Sequence, residues 1–128
     1  MVDINKQIEF WSNGASEDLE VARELISNKR YRHGLFFLHL ALEKILKAHV
    51  CKNINDIAPR IHNLVRLAET TSLNFEQHFV NILAELNAFN IEGRYPDSTF
   101  IPITHNEVAD YLKRAEEVFQ WLIIQLKS

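Results

Sequence analysis

The segment between residues 31 and 50 constrains the fold more than any other part of this sequence. It contains the apolar run GLFFLHLAL from Gly34 to Leu42, which covers most of the circumference of a helix. Such a helix is stable only where other elements surround it, because its apolar faces would otherwise be exposed to water. The segment therefore predicts a central helix in an all-α protein.

Helical periodicity continues on both sides of this segment. Apolar residues recur at intervals of three and four in residues 4–26, 75–89 and 108–126, which is the spacing of an amphipathic helix. A shorter helix is expected to begin at Pro59, since proline is favoured in the first helical turn. Strand-like alternation appears nowhere with comparable strength. We therefore predict helices throughout the chain.

Two sequence patterns resemble capping boxes. One pairs Asn74 with Gln77, and the other pairs Thr104 with Glu107. In a capping box the first side chain accepts a hydrogen bond from the helix backbone, and the later side chain reaches back to the start of the helix. The patterns predict where the last two long helices begin.

Length and composition favour one domain over residues 1–128. Of the 128 residues, 47% are hydrophobic, which is enough to bury one core. The formal net charge is -3, without the strong basic excess of a dedicated duplex-binding domain. Any contact with nucleic acid must therefore come from a local patch.

The cysteine content and the N-terminal residues narrow the class of protein further. Cys51 is the only cysteine, so an intrachain disulfide and a zinc ribbon are excluded and a buried thiol is expected. The histidines form no zinc motif and no GxGxxG is present, so we expect neither a metal nor a cofactor. The N-terminus includes acids and no long apolar stretch, so we expect a cytoplasmic protein without a membrane segment.

The central helix carries charged residues in its second half. Lys44 and Lys47 share one face, and Glu43 lies four residues before Lys47. One interpretation is a small phosphate-binding patch on a rigid helix. The other is a solvated edge held by salt bridges. His39 is expected either to donate to the Glu43 carboxylate or to be a satisfied core histidine.

His62 and Asn63 lie at the beginning of the predicted short helix, where free backbone N–H groups collect. Asn63 suits helix capping or anion binding. His62 suits capping, anion binding or acid–base catalysis. Both are candidate ligand-binding residues, and simple capping or surface placement is the alternative.

A long connection, residues 90–104, separates the last two helices because two prolines and a glycine exclude continued helix. In its sequence GRYPD, Arg94, Tyr95 and Asp97 combine a guanidinium, a phenol and a carboxylate. That combination suits oxyanion or phosphate binding. The alternative is a pair between Arg94 and Asp97 that holds the loop in place.

Three of these segments together resemble the HEPN family, named for its occurrence in higher eukaryotes and prokaryotes. The second helix is similar to the family's A-x-EK-x-LKA pattern, the short helix to its H-x-L pattern, and the long connection to its N-x-x-x-RYPD pattern. Their order and spacing extend the resemblance over nearly the whole chain. The matching residues are Ala41, Glu43, Lys44, Leu46, Lys47, Ala48, His62, Asn63, Leu64, Asn90, Arg94, Tyr95, Pro96 and Asp97.

The resemblance implies an antiparallel, up-and-down bundle of four or five helices that is usually dimeric. It also implies a small nucleotidyltransferase-like protein as a partner, since prokaryotic members often accompany one. Some members are metal-independent endoribonucleases of toxin–antitoxin pairs. Others are regarded as nucleotide-binding or interaction modules.

This sequence departs from the nuclease members, which carry an Arg-x4-6-His motif. The histidine that follows Arg94 is His105, with ten residues between them. Arg94, His62 and His105 are therefore catalytic candidates that do not form the family's motif. The sequence favours a protein that is not an enzyme.

We predict a homodimeric HEPN-type domain that binds a nucleotide or RNA phosphate, or engages a nucleotidyltransferase-like partner, through Lys44, Lys47, His62 and Arg94. The first alternative is an endoribonuclease toxin in which Arg94 stabilises the phosphate and a histidine transfers protons. The second is a structural dimer that binds no ligand, which the negative net charge favours.

Overall fold

The structure is a computed structural model that describes residues 2–90 and 103–128. These residues form five α-helices and one 3-10 turn, without any strand, which confirms the all-α prediction. Within the described ranges, no helix combines the length and the hydrophobicity that crossing a bilayer requires. The elements are α1 (Ile4–Ser27), α2 (Tyr31–Ile54), α3 (Leu64–Thr70), α4 (Gln77–Leu86), the 3-10 turn (Asn87–Phe89) and α5 (His105–Leu126).

Helix α2 occupies the centre of the bundle, as predicted. Most of its residues from Gly34 to Cys51 are buried, and Leu35, Leu38 and Leu42 are fully enclosed. Helices α1, α3, α4 and α5 all pack against it. The apolar run therefore forms the middle of the core, and Cys51 is the buried thiol that the sequence predicts.

Contacts between the helices define an up-and-down arrangement. Helices α1 and α2 run antiparallel, joined only by residues 28–30. Helices α2 and α5 are parallel. At their starts the Tyr31 hydroxyl lies 3.1 Å from Nδ1 of His105, and at their ends Lys52 Nζ donates to the Leu126 carbonyl at 3.2 Å. Helices α3 and α4 lie between α2 and α5 in the sequence and bring the chain back to the end of the bundle where α2 begins. Helices α2 and α5 therefore run in the same direction within the predicted bundle.

The short helix α3 begins later than predicted. Pro59 lies before the helix, where its carbonyl accepts a hydrogen bond from the N–H of Ile61 at 2.9 Å. Asn63 caps the helix instead, since its Oδ1 accepts from the N–H of Arg66 at 3.1 Å. The same oxygen accepts from Nδ2 of Asn87 at 3.1 Å. The predicted start at Pro59 is therefore wrong, because a tertiary contact determines where the helix begins.

The two predicted capping boxes differ in outcome. Thr104 Oγ1 accepts from the N–H of Glu107 at 3.2 Å, and Glu107 Oε1 accepts from the N–H of Thr104 at 3.1 Å, which confirms the box at α5. The box at Asn74 is wrong. Helix α4 begins at Gln77 itself, and its start has no side-chain cap.

Close packing of α1 on α2 depends on Gly34. A Cβ atom at this position would lie 2.6 Å from Cγ1 of Ile26 and 3.3 Å from its backbone nitrogen. Carbon atoms in contact are about 3.5–4.0 Å apart, so a larger side chain requires α1 to move. This glycine therefore sets the distance between the two helices near their connection.

Replacing Gly34 by alanine should lower the free energy of unfolding by up to about 2 kcal/mol, measured by urea denaturation. Overpacking a core costs about 1–3 kcal/mol, and the better helix propensity of alanine offsets only about 1 kcal/mol. In an Ile26→Ala background the same substitution should cost little or nothing, because the two side-chain atoms that come closest are gone and only the backbone nitrogen at 3.3 Å remains. An undiminished loss in that background would contradict the steric explanation.

Candidate functional site

The candidate site is built around Glu43, a carboxylate within α2. The residue is 5% exposed, and its Oε2 accepts a hydrogen bond from Nζ of Lys47 at 2.9 Å and lies 3.0 Å from Nδ1 of His62. Because an ionised carboxylate only accepts hydrogen bonds, the His62 ring donates through Nδ1. We call His39, Glu43, Lys47 and His62 the Glu43 cluster.

One helix face and one turn bring the cluster together. Glu43 and Lys47 share a face of α2 because they are one helical turn apart. His62 reaches them from the segment between α2 and α3. That segment is held by His39, whose Nε2 donates to the His62 carbonyl at 3.1 Å. The ion pair of Glu43 and Lys47 is present as the spacing predicts, but it is buried rather than solvated.

His39 is a neutral core histidine. It is 1% exposed, and burial lowers its pKa despite the opposing attraction of Glu43. Its Nδ1 lies 3.7 Å from Oε1 of Glu43 and makes no hydrogen bond with any described residue. Donation from His39 to Glu43 is therefore absent, because the ring's proton is used for the His62 carbonyl.

Trp11 of α1 covers the Glu43 cluster beside Lys47. The residue Lys47 is 5% exposed, and its Nζ lies 5.1 Å from the centre of the Trp11 ring. A cation over an indole face is attracted by the π system. The ammonium group is therefore stabilised inside the protein by a carboxylate and an aromatic ring.

Lys44 is engaged separately. Its Nζ lies 2.8 Å from Oδ2 of Asp18 in α1. Its aliphatic chain passes Gly14, where a Cβ atom would lie 3.2 Å from Cδ of the lysine. Lys44 and Lys47 are thus each neutralised by a different carboxylate, and they do not form a patch of two free cations.

The other predicted site residues are not gathered at the Glu43 cluster. Asn63 is occupied as the cap of α3. His105 lies at the start of α5, against Tyr31. The helix axis from Tyr31 to Glu43 spans about 18 Å at about 1.5 Å per residue, so His105 is remote from the cluster. Outside the described residues lie Arg94, Tyr95 and Asp97.

Sequence reasoning missed Trp11 and Asp18 as parts of the polar interior. Asp18 is buried within the apolar stripe of α1, next to Leu19, and a carboxylate in such a place is a signal that the facing helix supplies a cation. No local pattern marks Trp11, because its role depends on how α1 aligns with α2. The roles of both residues can be recognised only when the alignment of α1 with α2 is known.

The Glu43 cluster presents an oriented imidazole at the protein surface. The side chain of His62 is 66% exposed, and because Glu43 holds Nδ1, Nε2 is the nitrogen that a ligand can reach. An imidazole held in this way can bind an oxyanion or transfer a proton. Among the described residues, no group of three or more His, Cys, Asp and Glu side chains is arranged to hold a metal ion.

Removing either member of the buried ion pair should destabilise the fold strongly. Glu43→Leu or Lys47→Met leaves one charge buried without its partner, and each change should cost about 3–5 kcal/mol in urea denaturation. The double variant should recover much of that loss. Arg114→Met, which breaks the more exposed pair with Glu85, is the control and should cost under about 1 kcal/mol. Similar losses for the two pairs would contradict the buried role of Glu43.

Two buried histidines should make the fold sensitive to acid. His49 is 4% exposed and donates through Nε2 to the Leu122 carbonyl at 2.7 Å. Burial lowers the pKa of His49, as it lowers that of His39, from the ordinary value of 6.5. Below that pH the unfolded chain binds protons that the folded protein does not. The stability is therefore fully present above pH 6.5 and is lost as the pH falls toward the folded-state values.

Denaturant unfolding between about pH 8 and about pH 5 measures this effect. Each histidine should add up to about 1.4 kcal/mol per pH unit to the acid dependence of the unfolding free energy. The His39→Gln/His49→Gln variant should lose this part of the slope. Equal slopes in wild type and variant would show that the two rings do not cause the acid sensitivity.

Comparisons with known proteins agree with this architecture. Among the similar solved structures is ST0689, an archaeal HEPN homologue with 22% identity and a TM-score of 0.72, covering 93% of this chain and 97% of the other. Another is TT1696 from Thermus thermophilus, with 20% identity and a TM-score of 0.78, covering 91% of this chain and 95% of the other. A comparison with curated proteins gives no match. The model of the HEPN domain matches residues 8–126, and the chain therefore belongs to the HEPN family.

Proposed function

We propose that this HEPN protein binds a nucleotide or an RNA phosphate, with His62 as the principal contact. The observation that carries the proposal is an exposed imidazole held by a buried carboxylate. The side chain of His62 is 66% exposed, whereas the side chain of Glu43, whose carboxylate it contacts at 3.0 Å, is 7% exposed. Membership of the HEPN family supports the same class of ligand.

The orientation of the His62 ring suits a phosphate ligand. Because Glu43 accepts the proton of Nδ1, Nε2 is left for the ligand in either protonation state of the ring. A protonated Nε2 donates to a phosphate oxygen, and a neutral Nε2 accepts from a ribose hydroxyl. A ring that is oriented before binding also loses less side-chain entropy when the ligand arrives.

Two arginines flank His62 in the sequence. Arg60 and Arg66 are exposed, and their side chains form no ion pair with any described residue. Guanidinium groups are well suited to phosphate oxygens. Lys44 and Lys47, by contrast, are already paired with carboxylates. We therefore assign the ligand to His62 and the arginines, and a structural role to the lysines.

The pairing of His62 with Glu43 also favours a second candidate function, a metal-independent endoribonuclease. A neutral His62 would take the proton of a ribose 2′-hydroxyl at Nε2, which is the role of a general base. Glu43 would then stabilise the resulting imidazolium. Arg94 is the candidate for stabilising the charge that develops on the phosphate.

The proposed assembly is a cytoplasmic homodimer with a nucleotidyltransferase-like protein as a partner, or a toxin–antitoxin pair if the protein is a nuclease. Membership of the HEPN family supports it, because members are usually dimeric and often accompany such a protein. Phe10 of α1 and Ile124 of α5 are 65% and 61% exposed in the single chain, as apolar residues of a subunit interface would be.

Substituting His62 should weaken nucleotide binding while the fold stays intact, because Lys47 still pairs with the buried Glu43 carboxylate. Fluorescence titration with a labelled adenosine triphosphate should give an affinity about 10–100-fold lower for His62→Ala, the effect of losing a hydrogen bond to a charged group. The matched control is His78→Ala, since the His78 side chain is 59% exposed and lies on α4. Equal affinities of the two variants would refute the assignment of His62.

A cleavage assay separates binding from catalysis. Labelled single-stranded RNA is incubated with wild type, His62→Ala and Arg94→Ala without added metal. The binding function predicts no cleavage by any of the three proteins. Cleavage by wild type that disappears in either variant would establish the endoribonuclease instead.

A further inference from the structure

A concave surface lies where the connection between α1 and α2 enters α2. It is an open pocket of about 400 Å³, which is within the range of small-ligand sites. Most of the described residues that line it carry a positive or basic group, and none of these described residues is acidic. The lining residues are Lys29, Arg30, Tyr31, Arg32, His33 and Ile103.

The positive charge at this pocket contrasts with the charge of the whole chain. Lys29, Arg30 and Arg32 are adjacent or nearly so in a sequence whose net charge is -3. No aspartate or glutamate occurs between Glu24 and Glu43. Lys29 and Arg30 lie in the connection between the C-terminal end of α1 and the N-terminal end of α2, where the two helix dipoles act on them in opposite directions. The cations are therefore concentrated in one short segment that contains no acidic residue.

Lys29 and Arg30 differ from several basic residues of the bundle in having no carboxylate partner. Both are exposed, and their side chains form no ion pair with any described residue. An exposed positive charge that has no ion-pair partner among the described residues is available to a ligand in the pocket. Basic side chains that do contact a carboxylate are Arg23, Lys44, Lys47 and Arg114.

An aromatic pair borders the pocket. The rings of Tyr31 and His105 have centroids 6.1 Å apart and are inclined by 52°, and the Tyr31 hydroxyl lies 3.1 Å from Nδ1 of His105. Proteins that bind single strands combine aromatic rings, on which bases stack, with basic groups that contact the phosphates. Aromatic rings beside unpaired cations favour a nucleic acid strand over a simple inorganic anion.

We propose that this surface, the α1–α2 junction pocket, binds the phosphate backbone of single-stranded RNA as a contact separate from His62. Along α2 the pocket and the Glu43 cluster are about 18 Å apart, so the two contacts engage different nucleotides of one strand. The inference rests on the proposed function for the class of ligand and adds a second binding site to it. The pocket is the local basic patch that a chain of net charge -3 needs in order to hold a polyanion.

Fluorescence anisotropy with a labelled oligouridylate RNA tests the junction pocket at several salt concentrations. The variant Lys29→Gln/Arg30→Gln removes two exposed cations and should bind roughly tenfold more weakly or worse. The slope of log affinity against log salt should also fall by about 1.4, or about 0.7 for each lost phosphate contact. The matched control is Lys113→Gln/Lys127→Gln, which removes two exposed lysines of the α5 region and should retain the wild-type slope.

Three outcomes would overturn the junction pocket. One is equal affinity and slope for the two double variants. The second is no RNA binding by the wild type. The third is displacement of the RNA by polyglutamate of equal charge, which would mean that the surface recognises acidic peptides. Inorganic polyphosphate as a competitor separates the phosphate contribution from base stacking, and RNA is expected to bind more tightly.

This test is independent of the test of His62. If adenosine triphosphate binding depends on His62 while the two double variants bind RNA equally, the junction pocket is refuted and the proposed function stands. If RNA binding depends on Lys29 and Arg30 while His62→Ala has no effect on the nucleotide, the pocket stands and the assignment of His62 is refuted. Circular dichroism of each variant establishes that the fold is intact.

Discussion

The structure depends on one constraint, which is that α2 is buried along most of its length. Ionisable groups on such a helix have to find partners inside the protein, because a buried charge without one is very costly. Glu43 meets this requirement with Lys47 on its own helix and with His62 from the next segment. The ammonium group of Lys47 in turn makes a cation–π contact with Trp11 of α1. A single buried carboxylate therefore couples the packing of the core to the orientation of a surface imidazole.

The long helices could be predicted from the sequence, whereas the starts of the short ones could not. Helices α1 and α5 each carry enough turns for periodicity to reveal which face is buried, and the long apolar run of α2 marks it as the central helix. Helix α3 is too short for that, and its start depends on Asn63, which contacts Asn87 at the C-terminal end of α4. No local pattern contains such a contact. Pro59 misleads because the backbone angle that suits the first turn of a helix also suits a tight turn.

The parts of the candidate site that depend on a single helix could be predicted from the sequence, whereas the parts that depend on contacts between elements could not. The pair of Glu43 and Lys47 follows from spacing within one helix, and the capping role of Asn63 from its chemistry. The contact between Glu43 and His62 crosses from α2 to the next segment, and spacing within a helix cannot supply it. The ion pair between Lys44 and Asp18 could not be predicted from the sequence either. It depends on the alignment of α1 with α2, which in turn depends on their close approach at Gly34.

The parallel pair of α2 and α5 has an evolutionary consequence. Tyr31 contacts His105 where both helices start, and Lys52 donates to carbonyl groups of Leu126 and Ser128 where both end. Both ends of α5 are thus located by α2 directly. Contacts between described residues therefore fix both ends of α5 along α2. Selection on Tyr31 or Lys52 is therefore coupled to the position of α5 as well as to that of α2, so these residues and their contacts on α5 are expected to change together.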